Sequence, residues 1–164
     1  MTVTDEFVSR AERYAEAFDK ADLPMPPGKR VAVLACMDAR VNPYGILGLT
    51  EGDAHVIRNA GGVVTDDAVR SLVISQRLLG TTEIVLIHHT DCGMLTFQDD
   101  EVKSQIEADT GLRPPFALEA FTDPAEDVRQ SIRRIRSNPF VPLRDAVRGF
   151  VYDVRSGQLH EVKE

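Results

Sequence analysis

Residues 31–40 of the chain, VAVLACMDAR, run from five apolar residues directly into a cysteine, an aspartate and an arginine. Residues 84–93, IVLIHHTDCG, follow the same plan, with four apolar residues ahead of two histidines and the second cysteine. Short apolar runs without polar alternation are typical of buried strands in the middle of a parallel sheet. Because open α/β sheets place their sites beyond the carboxyl ends of the strands, both stretches are expected to deliver polar side chains to one edge.

The apolar patterns along the rest of the chain predict the fold class α/β. Strands that alternate with helices predict a mostly parallel central sheet flanked by helices and joined by right-handed crossovers. The final strand is expected to lie antiparallel at an edge of the sheet. The predicted strands cover residues 30–35, 54–57, 83–87 and 149–154, with a polar strand or tail to Glu164. The predicted helices cover residues 4–20, 44–47, 65–79, 99–108 and 125–136.

The 164 residues suit a single domain, in which residues 1–28 form an N-terminal helix and a proline-rich linker and residues 29–164 form the α/β core. Apolar residues in the first helix recur with helical spacing from Phe7 to Phe18, and Thr4 is the expected N-cap. A lone amphipathic helix ahead of the sheet must bury its apolar face on its own domain or on a partner subunit. The pattern itself leaves both possibilities open.

The charge pattern excludes several kinds of partner. Lys and Arg number 19 against 26 Asp and Glu, which gives a formal charge of −7, and there is no basic run. This composition argues against nucleic acid and against anionic membrane surfaces. No apolar stretch approaches the ~18 residues of a membrane span, and no basic segment precedes an apolar one at the start. We therefore expect a cytoplasmic protein without a nucleic-acid or membrane partner.

The two cysteines, Cys36 and Cys92, have three interpretations. A disulfide is uncommon in the cytosol, and two unrelated cysteines could simply be buried. A shared metal ion is favoured because His89 lies three positions before Cys92 and carboxylates lie close to both cysteines. Zinc prefers thiolate and imidazole ligands in a tetrahedral arrangement. We therefore predict a Zn2+ site made by Cys36, His89 and Cys92, with one ion in each subunit.

Three protein ligands leave a fourth coordination position, which is the pattern of a catalytic zinc whose bound water ionises near pH 7. Asp38, two residues after Cys36, is placed to orient the resulting hydroxide. Arg40 is placed to hold Asp38 in a bidentate pair. Two alternatives stay open. Asp38 could turn to become the fourth ligand in a closed state, with its pair to Arg40 as the switch, or the two could be an ordinary surface pair at a strand end.

Other polar and apolar residues beside the second motif have weaker expectations. His88 alternates away from His89 and is expected to pack or to form a hydrogen bond rather than to bind metal. Asp91 is expected to cap the turn or to form a hydrogen bond with a ligand residue. Met94 and Phe97 are expected to pack, or to line an apolar pocket beside the metal.

The motifs Cys-x-Asp-x-Arg at 36–40 and His-x-x-Cys-Gly at 89–93 resemble those of a β-class carbonic anhydrase, as does Arg-Asn-Ala-Gly at 58–61. The whole chain resembles the short, single-domain bacterial branch of that family. The resemblance implies reversible hydration of carbon dioxide to bicarbonate at the predicted zinc, with an Asp38–Arg40 dyad. It also implies an obligate homodimer with its active sites near the subunit interface and with the N-terminal helix packed on the neighbouring subunit. Whether two dimers pair into a tetramer stays open.

Two positions depart from the family pattern. Many members have a glutamine that helps to hold the substrate where this chain has Thr50, and a small residue where it has Met94 and then Leu95. A bulkier, more apolar pocket would favour a related apolar substrate, so carbonyl sulfide hydrolysis on the same zinc site is the first alternative. A non-catalytic zinc or bicarbonate-binding module is another, against which the intact Asp38 and Arg40 argue. A redox disulfide protein is the last, and His89 argues against it.

Overall fold

The computed structural model of the protein describes residues 2–163, in which five strands form one sheet and helices cover its faces. Met1 and Glu164 lie outside the described residues, so the predicted tail is described only as far as Lys163. The strands are Val31–Cys36 (β1), Ala54–Asn59 (β2), Glu83–His89 (β3), Val147–Tyr152 (β4) and Leu159–Glu161 (β5). The helices are Val3–Glu16 (α1), Pro43–Leu47 (α2), Asp66–Arg77 (α3), Asp99–Thr110 (α4) and Pro124–Ser137 (α5).

The sheet has the strand order β2-β1-β3-β4-β5, with four parallel strands and an antiparallel β5 at one edge. The predicted α/β class, the mostly parallel sheet and the antiparallel edge strand are therefore confirmed. In the centre, Ala35 of β1 lies opposite Ile87 of β3. Because β1 and β3 are parallel neighbours, the residues that follow them emerge side by side at one edge.

The core buries most residues of the two central strands. Residues 32–35 of β1 are fully buried, and so are Leu86 and Ile87 of β3. One face of the sheet packs against α3 and α5 through side chains that include Leu72 and Val128. Burial on both faces explains why these strands have continuous apolar runs, and it fixes the strand ends that carry the polar motifs.

Helix α1 differs in position and surroundings from the sequence-based expectation. Thr2, not Thr4, caps it: the Thr2 side chain accepts a hydrogen bond from the Asp5 N–H (3.2 Å), and the Asp5 carboxylate accepts one from the Thr2 N–H (2.7 Å). Thr4 could not form this reciprocal box because Phe7 stands three residues after it. The helix ends at Glu16, before the predicted residue 20, and none of its residues is buried.

The bounds of the strands also differ from the prediction by one or two residues. Strand β2 continues past Ile57 to Asn59 because it pairs with β1 up to Cys36. Strand β4 begins at Val147, two residues earlier than predicted, because it pairs with the start of β3. Within residues 2–163, every helix is too short or too polar to cross a membrane.

Candidate metal centre

Three buried side chains meet at the carboxyl edge of the sheet. Cys36 is the last residue of β1, His89 is the last residue of β3, and Cys92 lies in the turn that follows β3. All three are buried, and their candidate ligand atoms lie within 4.8 Å of one another. The two sulfur atoms are 4.0 Å apart. The structure therefore brings together the three residues that the sequence predicts as metal ligands, and this group could hold a metal ion.

The protonation of the His89 ring suits a metal ligand. Its Nδ1 lies 2.7 Å from the carbonyl oxygen of Thr90, which can only accept a hydrogen bond, so Nδ1 carries the proton. In the neutral ring, Nε2 is then an acceptor, and it is buried without a hydrogen-bond partner. An unsatisfied buried acceptor is costly unless something binds it. A histidine fixed through one ring nitrogen and open at the other is the usual arrangement of a metal ligand.

The donor atoms and their spacing fit zinc. Two thiolates that bind one zinc ion at about 2.3 Å, at a tetrahedral angle, lie about 3.8 Å apart. The observed sulfur–sulfur distance of 4.0 Å agrees with that value. Two sulfur atoms and one imidazole nitrogen are also the ligand types that zinc prefers.

The two cysteines influence each other's ionisation. The contact with Cys92 lowers the pKa of Cys36 to about 4, helped by His89 and by backbone N–H groups of Asp38 and Gly61. The same contact raises the pKa of Cys92 far above that of a free thiol. Burial opposes the charged form of His89, but its contacts with Cys36 and with the Thr90 carbonyl raise its pKa. The cluster thus already favours one thiolate, the form in which cysteine binds a metal.

Asp38 and Arg40 form a bidentate pair beside the cluster. Arg40 Nε donates to Asp38 Oδ1 (3.0 Å) and Nη2 donates to Oδ2 (2.8 Å), while the Arg40 backbone N–H also donates to Oδ1 (2.8 Å). These hydrogen bonds lower the pKa of Asp38 well below its ordinary value. Asp38 Oδ2 lies 3.7 Å from His89 Nε2. The carboxylate therefore stands next to the candidate ligands while Arg40 holds it.

The side chains of Arg58 and Asn59 form hydrogen bonds with the backbone near this edge of the sheet. The sequence predicted no structural role for either residue. The Arg58 guanidinium donates to the carbonyl oxygen of Cys36 (3.1 and 2.8 Å) and to that of Asp38 (2.8 Å). The Asn59 side-chain NH2 group donates to the carbonyl oxygen of Val63, and the Asn59 side-chain oxygen accepts a hydrogen bond from the Val63 N–H. Arg58 thus fixes the backbone of the first motif from the neighbouring strand. The only signal for this role was the third stretch of the family resemblance, at 58–61.

Gly62 permits a close approach that no side chain allows. Its φ is +68°, and a Cβ there would lie 2.9 Å from the backbone nitrogen of Cys36 and 3.0 Å from the carbonyl oxygen of Ile87. Both contacts are with backbone, which cannot move aside as a flexible side chain can. The turn Ala60–Gly62 therefore lies directly on the ends of β1 and β3.

Apolar side chains line one side of the cluster. Met94 is buried against Cys36 and Cys92, and Leu95, Phe97 and Phe121 pack around it. This confirms the packing role predicted for Met94 and Phe97.

Thr50, which stands where many family members have a glutamine, forms its side-chain hydrogen bond within its own turn. Its hydroxyl and backbone N–H donate to Asp53 Oδ2 at 3.2 and 2.9 Å. Thr50 therefore closes its own turn.

His88 and Asp91 have the partners that the sequence could not name. His88 is fully buried, and its Nε2 forms a 2.7 Å hydrogen bond with Asp127 Oδ2, as expected for a packed residue rather than a ligand. Asp91 accepts hydrogen bonds from Arg40 instead of contacting a candidate ligand residue.

Comparison with known proteins agrees with this geometry. The family model described as carbonic anhydrase matches residues 31–159, which include both motifs. The sequence is 60% identical over 162 residues to beta-carbonic anhydrase 1 of Mycobacterium tuberculosis, covering 99% of each chain. The chain belongs to the β-carbonic anhydrase family. It therefore belongs to a family of enzymes, and the resemblance inferred from the motifs is confirmed.

Two further relatives of this β-carbonic anhydrase family member are similar to it in structure or in sequence. The crystal structure of carbonic anhydrase from Streptococcus mutans superimposes with a TM-score of 0.92 at 43% sequence identity, covering 99% of both chains. The carbon disulfide hydrolase of an Acidianus species is 34% identical over 182 residues, covering 96% of this chain and 87% of that protein. A similar sequence therefore occurs in an enzyme named for carbon disulfide.

Proposed function

We propose that the protein catalyses the reversible hydration of carbon dioxide to bicarbonate and a proton with one zinc ion per subunit. The observation that supports this most directly is the buried group of Cys36, His89 and Cys92, whose His89 Nε2 has no hydrogen-bond partner among the described residues. In this proposal, these three residues are the zinc ligands. Asp38 and Arg40 are the catalytic pair.

When bound, zinc would lower the pKa of a coordinated water to about 7 and so make a nucleophile available at neutral pH. The Asp38 carboxylate stays ionised because Arg40 binds both of its oxygens. An ionised carboxylate beside the ligands can accept a hydrogen bond from the attacking oxygen and orient it. Arg40 also keeps Asp38 from becoming a fourth ligand, so the closed state requires this pair to break.

The apolar wall of Met94, Leu95 and Phe121 suits a small neutral substrate. Carbon dioxide leaves water for such a surface at little cost, whereas bicarbonate is charged and returns to solvent. Thr50 is engaged with Asp53 in its own turn, so we assign substrate orientation to this wall and to Asp38.

Carbonyl sulfide hydrolysis is the second candidate function. The apolar wall favours it, and so does the 34% identity to a carbon disulfide hydrolase, whose substrate is named as another linear sulfur compound. A purely zinc-binding or bicarbonate-binding role is disfavoured because the Asp38–Arg40 pair is intact and fully formed.

We further propose that the active form is a cytoplasmic homodimer, which can pair into a tetramer. Large apolar side chains of α1 are between 55 and 64% exposed, namely Val3, Phe7, Val8 and Tyr14. A helix with such a face gains stability when another surface covers it. In this proposal residues 1–28 supply the helix and linker, and residues 29–164 supply the α/β core of a single domain.

The substrate is tested by measuring both reactions on protein of known zinc content. We expect carbon dioxide hydration to have a kcat/KM at least 100-fold above that of carbonyl sulfide hydrolysis, which is followed by release of hydrogen sulfide. Asp38→Ala should keep its zinc and lose hydration activity. Faster turnover of carbonyl sulfide than of carbon dioxide would transfer the assignment to the second candidate.

A further inference from the structure

Asp91 binds the guanidinium of Arg40 from the side opposite to Asp38. Arg40 Nη1 donates to Asp91 Oδ2 at 2.7 Å, and Nη2 donates to the Asp91 carbonyl oxygen at 2.8 Å. Asp91 lies 51 residues along the chain from Arg40 and directly precedes Cys92. Arg40 therefore ties the end of the first motif to the turn that carries a candidate metal ligand of the second.

The two aspartates do not compete for the same hydrogens. A guanidinium has five N–H donors in a fixed fork. Asp38 takes one hydrogen from Nε and one from Nη2, whereas the Asp91 carboxylate takes one from Nη1 and the Asp91 carbonyl takes the second from Nη2. Contacts to Asp91 thus add to the contacts to Asp38 and restrict the rotamer of Arg40.

The pair with Asp38 is partly open to solvent, which makes this added restraint important. The Arg40 side chain is 47% exposed and the Asp38 side chain is 18% exposed. Ion pairs at such a surface gain little, because a long side chain must be held in one geometry. A second anchor for Arg40 supplies that restriction in advance, so less is lost when the pair with Asp38 forms.

The backbone conformation of Asp91 allows both its carbonyl oxygen and its carboxylate to reach Arg40. Its φ is +53°, in the left-handed region that few residues other than glycine adopt. Aspartate and asparagine are several-fold enriched there among non-glycine residues. The position therefore combines a backbone requirement with a requirement for a side-chain acceptor.

We propose that Asp91 is a positioning residue that fixes Arg40, so that Arg40 holds Asp38 away from the fourth coordination position of the metal. This inference rests on the zinc site of the proposed function but not on the identity of the substrate. Without the Asp91 carboxylate, Arg40 is less restricted and Asp38 spends more time as the fourth ligand. The fraction of molecules with an open site falls, and the affinity for any external ligand falls with it.

The test uses cobalt(II)-substituted protein titrated with thiocyanate, followed by the visible spectrum of the metal. Asp91→Gly keeps the left-handed backbone and its carbonyl while removing the carboxylate. We expect its thiocyanate Kd to rise about tenfold, as it would if the open fraction fell about tenfold. The removal of a negative charge would alone tighten anion binding. A weaker complex therefore separates positioning from simple electrostatics.

Two further variants and one control complete the test. Asp91→Asn keeps an acceptor oxygen, and asparagine can adopt the left-handed backbone conformation at this position. It should therefore restore thiocyanate binding to within about threefold of wild type. In an Asp38→Ala background, Asp91→Gly should not weaken thiocyanate binding, because the carboxylate that closes the site is gone and only the loss of a negative charge remains. The control Asp67→Asn removes an exposed carboxylate paired with Arg70 and should leave binding unchanged.

Three results would overturn the proposal. One is an Asp91→Gly protein that holds one cobalt per chain and binds thiocyanate as tightly as wild type or more tightly. Another is an equal loss of affinity with and without Asp38, which would mean that Asp91 acts by another route. Wild-type protein that takes up no cobalt would refute the metal site itself, whereas cobalt protein that binds thiocyanate without hydrating carbon dioxide refutes only the substrate assignment.

Discussion

The carboxyl edge of the sheet that carries Cys36, His89 and Cys92 (the metal edge) and helix α1 both combine apolar and polar residues in sequence. They nevertheless have opposite surroundings in the structure. At the edge, Cys36, His89 and Cys92 are buried. In α1, Phe7 is 60% exposed, and none of the residues of the helix is buried. Within a single chain, the three candidate ligands are therefore buried, whereas the apolar side chains of α1 stay exposed to solvent.

The contrast separates what one chain encodes from what the proposed homodimer would supply. Among the buried side-chain nitrogen and oxygen atoms of the described chain, only His88 Nδ1 and His89 Nε2 lack a hydrogen-bond partner. Apolar surface on α1 lacks such cover, and apolar surface is stabilised by burial at roughly 25 cal/mol per Å². We therefore expect substitutions at the edge to affect metal binding and folding, and substitutions on α1 to affect association.

The largest expected effect is at the metal edge. Cys36→Ser should lower zinc affinity by more than about 100-fold, since even the loss of an outer partner of a metal ligand costs 10–100-fold. Zinc content after dialysis, measured by mass spectrometry, checks this. Met37→Ser changes the adjacent residue, which is 64% exposed, and should keep a full equivalent. Full zinc in Cys36→Ser would remove Cys36 from the ligand set.

Two glycines with left-handed backbone provide the next test of how closely the metal edge is packed. At Gly62 a new Cβ meets the backbone of Cys36 and Ile87, whereas at Gly80, with φ of +74°, nothing lies within 4 Å. Gly62→Ala should therefore lower the free energy of unfolding by about 3 kcal/mol, and Gly80→Ala by about 1 kcal/mol. Urea unfolding measures both. Equal losses would show that the turn at Gly62 can move away from the strands.

On α1, the double substitution Phe7→Glu with Tyr14→Glu should dissociate the proposed homodimer while zinc binding stays intact. Each such side chain that is buried on a partner contributes about 1.5–3 kcal/mol to association. Sedimentation velocity at micromolar concentration distinguishes the two states, with Glu12→Gln as an exposed polar control on the same helix. A wild-type protein that sediments as a monomer would contradict the assembly proposal.

The smallest effect is expected where α4 anchors the loop that carries Phe121, which packs against the cysteine cluster. The Asp99 carboxylate accepts hydrogen bonds from three consecutive backbone N–H groups, those of residues 118–120, at 2.8–3.1 Å. Asp99→Ala should lower the free energy of unfolding by about 2 kcal/mol. Asp100→Ala removes only an exposed ion pair with Arg113 and should stay within about 0.5 kcal/mol of wild type.

The pH dependence of this difference gives a separate check. Burial raises the pKa of Asp99, but the three N–H groups outweigh it and lower the pKa below the ordinary value. A carboxyl with a lowered pKa contributes stability above its unfolded pKa, near pH 4, and loses it as the pH falls through the folded pKa. The gap between wild type and Asp99→Ala should therefore be full at pH 7 and shrink below about pH 4. A constant gap would exclude the carboxylate as its origin.

Local patterns carried much of the fold and of the metal cluster. The continuous apolar runs at 31–35 and 84–87 predicted the central strands, because a strand that is buried on both faces has apolar residues at successive positions. The three candidate ligands followed from residue type and from their position at strand ends. The predicted helices exist with shifted ends, since caps depend on side-chain geometry, as the choice of Thr2 over Thr4 shows.

Contacts between distant parts of the chain were beyond sequence reasoning. Arg58 binds the carbonyl of Cys36 across 22 residues, and Asp91 binds Arg40 across 51. Such pairs depend on the register of the sheet and the path of a turn, which no periodicity encodes. The cover of α1 was also undetermined, because an amphipathic helix has the same pattern whether its partner lies in its own chain or in another.

The proposed zinc chemistry is tested most directly by a zinc titration of metal-free protein followed by stopped-flow hydration of carbon dioxide. We expect the hydration rate to rise in proportion to bound zinc, to stop rising at one zinc per chain, and to increase between pH of about 7 and 9. A protein that binds one zinc per chain and leaves the hydration rate at its uncatalysed value throughout this range would contradict it.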